Sequence, residues 1–181
     1  MITEPIIIDN FLEEEYFNKL VDRICSKDSR AGIPWWYGSY DSPTFHDGKL
    51  YSMDEDPQEY LLSNTTYKNN IPNDAEMYNL LQPFCRAIDY KKEIKSLLRL
   101  RSNLFIRTNP LYEYEFHIDY PYPHTAGILS LNTCDGYTKM KDGTKVESIA
   151  NRMLLFEGSE KHASTTTSNK PARFNLVINF L

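Results

Sequence analysis

Apolar and polar positions change period along this chain. Residues 5–8 (PIII) form a short apolar run closed by Asp9 and Asn10, the pattern of a brief strand. Leu12, Tyr16, Leu20, Val21 and Ile24 then recur at helical spacing, with Glu13, Glu14 and Glu15 in the first turn, where the helix dipole favours acids. This predicts a helix ending near Ser26. No period is sustained over residues 27–73, where Pro34, Pro43, Pro57 and Pro72 interrupt a stretch rich in Tyr and Asn. These residues read as long loops with little regular structure, the kind that forms lids or binding segments. Asp74 can cap a second helix whose apolar face is Met77, Leu80, Leu81, Phe84 and Ile88, and Pro83 predicts a kink in it.

From about residue 96 the period becomes two. Eight strands are predicted, over 97–107, 113–119, 126–133, 136–140, 144–149, 152–157, 161–166 and 172–180. Turn signals separate them, Asp142-Gly143 being a good hairpin signal. In the first strand Leu98, Leu100, Leu104 and Ile106 share a face, opposite Arg99, Arg101, Asn103, Phe105 and Arg107. In the last, Phe174, Leu176, Ile178 and Phe180 oppose Arg173, Asn175, Val177 and Asn179. In the second, Tyr114, Phe116 and Ile118 oppose Glu115, His117 and Asp119. One face is greasy and suits packing against the helices. The other is polar, and a polar lumen in a small barrel points to a ligand site. The fold class is therefore mostly β with supporting helices: a jelly roll (double-stranded β-helix) of eight core strands, with the N-terminal helices on one face.

Composition narrows the function classes. At 181 residues the chain is one domain's worth, with 41% hydrophobic and 25% charged residues. Twenty Lys and Arg against 25 Asp and Glu give a net charge of −5, which weighs against a polyanionic partner. Cys25, Cys85 and Cys134 lie far apart and form no CxxC pair, as expected in a reducing compartment. The opening MITEPIIIDN lacks the basic and apolar regions of a signal peptide, and no apolar run approaches membrane-span length. The expectation is a cytoplasmic protein with no membrane partner.

The chemistry concentrates in three places. His117-Ile118-Asp119 puts an imidazole and a carboxylate on one strand face, and His162 opens the seventh strand. Two histidines and one carboxylate make the facial triad of non-haem Fe(II) oxygenases. His124 is the rival third ligand, reading better as a loop residue at the site's mouth, and His46 has no partner pattern. Arg173, eleven residues after His162, lies on the polar face of the eighth strand, where a guanidinium can capture a carboxylate. Alone, each feature has a bland reading: a chance triplet, a hydrogen-bonded histidine, an ion-pair arginine. Their order, spacing and parity together favour a metal site. Trp35 and Trp36 read as core or loop anchors.

This order of HxD, His and Arg resembles the 2-oxoglutarate and Fe(II)-dependent oxygenase superfamily, nearest to its prolyl 4-hydroxylase-like branch and the small members carried by phages. IIIDNFLEEEYFNKL, GILSLNT, NRMLLFEGSEKHAS and RFNLVINF fit it too. The resemblance implies a single oxygenase domain over 1–181, with residues 1–96 supplying strand, helices and loops and 97–181 the jelly-roll core, in a bacterial or phage-infected cytosol. It implies His117, Asp119 and His162 as iron ligands and catalytic centre, and Arg173 as the partner of the distal carboxylate of 2-oxoglutarate. Asn175 stands where a Ser is frequent. Ser130 stands where a Tyr often holds the same carboxylate, and Asn103 and Arg107 line the face that contacts the cosubstrate. Tyr114 matches a frequent site Tyr, although simple alternation points it outward. The implied activity uses Fe(II), 2-oxoglutarate and O2 to hydroxylate a C–H bond of a peptide or small-molecule substrate, a prolyl or other peptide side chain first among them. The alternatives are oxidative demethylation of nucleic acid, which relatives with an Arg-x-Asn pattern perform but the net charge disfavours, and a barrel that binds without turnover.

Overall fold

The computed structural model describes residues 2–28, 30–37 and 61–181. Two antiparallel sheets carry the architecture. The larger has eight strands in the order β1 (Ile6–Ile8), β9 (Met153–Glu157), β6 (Thr125–Ser130), β11 (Ala172–Phe180), β5 (Leu97–Ile106), β3 (Leu62–Lys68) and β2 (Trp36–Tyr37), with β4 (Ile71–Pro72) paired to β3. The smaller has three, β10 (His162–Ser164), β7 (Tyr137–Met140) and β8 (Lys145–Glu147). This is the jelly roll that the alternation predicts.

Parity places most of the core as expected, although of the apolar face predicted for residues 97–107 only Leu100 is fully buried and Ile106 is 51% exposed. Leu100, Leu129, Met153, Leu155, Leu176, Ile178 and Phe180 turn to one side of the large sheet, where they bury against the apolar faces of α1 (Glu14–Ile24), α2 (Ala75–Leu80) and α3 (Gln82–Asp89). The opposite side divides. Ala126, Ile128, Leu154, Phe156 and Val177 meet Met140 and Val146 of the small sheet in a second, dry cluster, while β5 and β11 offer polar side chains. Asn151 clips α1 to this frame: its side chain accepts from Leu12 N at 2.9 Å and donates to Leu12 O at 2.8 Å. Asp9 and Arg152 form a bidentate pair beside it.

Three departures from the pattern have physical causes. Pro83 does not kink one long helix but separates two. It lies in the first turn of α3, where its missing N–H costs nothing, and Asp74 caps α2 by accepting from Met77 N at 2.9 Å. Residues 27–73 are not all loop, since β2, β3 and β4 extend the large sheet. β3 (LSNTTYK) escapes a period-two reading because Ser63 and Thr65 face the polar lumen and a register shift falls between Thr65 and Tyr67.

Residues 113–119 are not a continuous strand. They touch β10 and the residue after it through isolated bridges at His117–His162 and Glu113–Thr165, four residue steps on one side against three on the other. The extra residue breaks the alternation. Among the described residues, no helix is long and apolar enough to cross a membrane.

Candidate active site

His117 and His162 face each other as a mutually bonded pair, each backbone N–H donating to the other's carbonyl at 2.9 Å. Their rings are 4.4 Å apart between centroids. Asp119 N donates to Gly158 O at 3.2 Å, which brings the carboxylate to the same end of the barrel. The ligand atoms of His117, Asp119 and His162 all lie within 4.8 Å of one another.

The surrounding atoms select donor states suited to a metal. His162 Nδ1 is 3.0 Å from Glu160 O, and a carbonyl can only accept, so Nδ1 carries the proton and Nε2 keeps its lone pair. Burial pushes the His117 imidazole down to about 3, reinforced by the adjacent His162. Burial lowers His162 as well. For Asp119 burial acts upward, but Arg99 and the two imidazoles outweigh it and hold the carboxyl well below the ordinary carboxylate range. Arg99 donates to Asp119 Oδ1 at 2.6 Å, and Asn179 Nδ2 donates to Oδ2 at 2.8 Å. Arg99 Nε also donates to Asn179 Oδ1 at 3.0 Å. Two neutral imidazoles and an oriented carboxylate fit a divalent first-row cation.

His124 is not in this group. It is buried, Nδ1 donates to Tyr122 O at 2.9 Å, and Nε2 lies 3.3 Å from Asn179 Nδ2. It packs so closely on Gly158 that a Cβ there would sit 2.1 Å from Nε2. The residue expected at the site's mouth is therefore part of the wall behind Asp119. His46 lies outside the described residues.

Further along the lumen, the β5–β11 register pairs Asn179 with Arg99, Val177 with Arg101, Asn175 with Asn103 and Arg173 with Phe105. Ser63 and Ser130 flank the third of these rungs, so Ser63, Asn103, Asn175 and Ser130 make one cross-sheet row. The amide oxygens of Asn103 and Asn175 are buried without a partner among the described residues. Arg173 is 1% exposed and donates to Thr165 O and Thr138 Oγ1, both at 3.0 Å. Its Nε has no acceptor, and among the described residues no carboxylate pairs with it. Burial pushes it down to about 10. A buried cation without a counter-ion is costly, and a bound anion relieves that cost.

Sequence reasoning misplaced two side chains. Arg107 falls just past the end of β5 and is exposed, outside the buried row. Arg99, on the polar face of that strand as the alternation predicts, is 2% exposed on Asp119. Tyr114 turns inward against Phe105, 5.6 Å between centroids, because the extra residue before His117 reverses its parity. It also missed Thr138 and Thr165, whose contacts with Arg173 leave no periodic signal. Trp35 does anchor the core, against Phe174 at 5.9 Å, whereas Trp36 is 63% exposed.

No protein-family model matches the chain, and no curated protein matches it in sequence. Solved structures do match its fold. A Pseudomonas putida prolyl-4-hydroxylase is 13% identical over 97% of this chain and 91% of its own, with a TM-score of 0.62. A Burkholderia pseudomallei oxidoreductase of the 2OG-Fe(II) oxygenase family is 10% identical over 97% and 84%, with a TM-score of 0.66. A Trichoplax adhaerens prolyl hydroxylase, solved with a hypoxia inducible factor peptide fragment, is 12% identical over 98% and 83%, with a TM-score of 0.62.

Proposed function

We infer that the chain is an Fe(II)- and 2-oxoglutarate-dependent oxygenase, one catalytic domain, that hydroxylates a C–H bond. The observation that carries this reading is Arg173, a buried guanidinium with a free Nε and, among the described residues, no carboxylate partner, in the same lumen as a His-Asp-His set. A metal set alone would suit many proteins. A metal set with an orphaned cation further along the barrel suits a chelating acid that reaches from one to the other.

His117, Asp119 and His162 would hold the metal, with Arg99 and Asn179 fixing both carboxylate oxygens. Arg173 would take the distal carboxylate, with Asn103, Asn175 and Ser130 beside it and Tyr114 closing the same end. The dry cluster of Ile128, Leu154, Phe156 and Val177 excludes water from the lumen wall. Bound there, Fe(II) supplies the redox chemistry that turns O2 on a substrate C–H bond as the oxo acid loses CO2. The peptide held by the Trichoplax relative supports a peptide side chain, prolyl foremost, as substrate.

Succinate formation from 2-oxoglutarate with Fe(II) and O2, followed by NMR, tests this together with metal and cosubstrate titrations. His162→Ala should lose most metal affinity and all turnover, and His124→Ala should keep metal affinity within about threefold. Arg173→Ala should bind metal normally and 2-oxoglutarate more weakly, by about 1.5–3 kcal/mol per charge-assisted hydrogen bond lost. Unchanged 2-oxoglutarate affinity in Arg173→Ala would overturn the reading.

A further inference from the structure

Three guanidiniums project toward the lumen from β5 and β11, and two have evident uses. Arg99 holds Asp119, and Arg173 awaits the distal carboxylate. Arg101 lies between them in the register, opposite Val177 on β11 and Thr65 on β3, neither of which carries charge. It is half-buried. Its Nε is sealed from solvent without an acceptor, and among the described residues it forms no hydrogen bond or ion pair. Burial and the like charge of Arg99 push it down to about 9, with Asp119 and Tyr120 acting the other way. Asp119 does not pair with it: its Oδ1 accepts from Arg99 and its Oδ2 from Asn179. The Tyr120 phenol is raised by its own burial and stays neutral.

Among these lumen groups, three guanidiniums face one carboxylate, a surplus of two positive charges. A dication and a dianionic oxo acid entering the site cancel each other and leave that surplus intact. Arg173 and the oxo acid's far carboxylate account for each other in space, at the Tyr114 and Thr138 end. Arg101 sits nearer the metal set, beside Asp119 and Tyr120, and among the described residues stays unpaired. A neutral or cationic substrate would seal an uncompensated charge beside the metal, and a carboxylate would complete a charge-assisted pair.

We propose that Arg101 recognises a carboxylate on the substrate, so that the enzyme acts on an acid: a peptide presenting an acidic side chain or free C-terminus, or a small carboxylic acid. This rests on the oxygenase reading above and deepens it. The rival source of the same chemistry is the metal-side carboxylate of 2-oxoglutarate itself.

The test uses full-length protein loaded with Mn(II) and 2-oxoglutarate without O2, reading paramagnetic line broadening of added probes. The probes are N-acetyl proline, alanine, leucine and aspartate, each against its amide. In the wild type at least one acid should broaden several-fold more than its amide. Arg101→Gln should abolish that difference, with 2-oxoglutarate affinity kept within about twofold, and Arg101→Lys should retain part of it. Equal broadening of every acid and amide in the wild type overturns the proposal, as does a difference that survives Arg101→Gln. A tenfold loss of 2-oxoglutarate affinity in Arg101→Gln assigns the residue to the cosubstrate instead. Separately, a wild type that binds Mn(II) but not 2-oxoglutarate would sink the oxygenase reading itself. Because Arg101→Gln removes an unpaired charge, its thermal midpoint should not fall, which separates lost recognition from lost fold.

Discussion

His117 and His162 are kept neutral by burial, and that has a cost in acid. An unfolded histidine titrates near 6.5, whereas the folded His117 sits near 3 and His162 is also depressed. Between those values the unfolded chain binds protons that the folded chain refuses, so stability drops as pH falls. Asp119, lowered from its usual 3.8, adds a further loss below about that value. Urea midpoints of the metal-free protein should therefore be level from pH 8 to 7 and decline from about pH 6.5 downward. His117→Asn should make the decline shallower. A midpoint that held steady to pH 5 would mean that the imidazoles are charged in the fold and not poised to ligate.

Adjacent residues of β11 do different work, because a strand sends them to opposite faces. Leu176→Ala, on the helix side, should cost about 2–5 kcal/mol in denaturant titrations while leaving 2-oxoglutarate affinity alone. Gly136 couples the two faces of the site differently. A Cβ there would meet Thr166 O at 2.6 Å and Arg173 Cδ at 2.7 Å. Gly136→Ala should thus shift the guanidinium, weakening 2-oxoglutarate in calorimetry and lowering stability by about 1–3 kcal/mol. What was legible in the sequence follows from the same geometry. Clean alternation over 99–106 and 172–179 marked both the core face and the lumen row, up to the register shift that pairs Phe180 with Leu97. HxD, His162 and Arg173 announced themselves by spacing. Where one extra residue entered a ladder, before His117 and within β3, parity failed, and with it the orientation of Tyr114 and the strand character of 62–68. Arg99 and Arg101 were on the correct face in the alternation. Their separate surroundings, Asp119 paired to one and, among the described residues, no partner for the other, are tertiary facts with no local signature.

At the scale of the molecule, the positive charge that the sequence does contain is partly turned inward, while the chain as a whole carries −5. Fluorescence anisotropy with single-stranded DNA or RNA should give affinities weaker than about 100 μM at physiological salt, the weak limit of non-specific binding. Micromolar, steeply salt-dependent binding would instead move base demethylation ahead of acid hydroxylation. β11 follows the other described strands in chain order, yet it is inserted at the centre of the large sheet, between β5 and β6. During ribosomal synthesis the chain through β10 must wait with two open, unpaired edges, and Arg173, Asn175 and Asn179 are missing from the lumen until the final insertion. Neither the hydrophobic core nor the anion site can be rehearsed in a nascent fragment. A pause or frameshift before residue 172 would release a sticky half-sheet for chaperones and proteases, not a partly active enzyme.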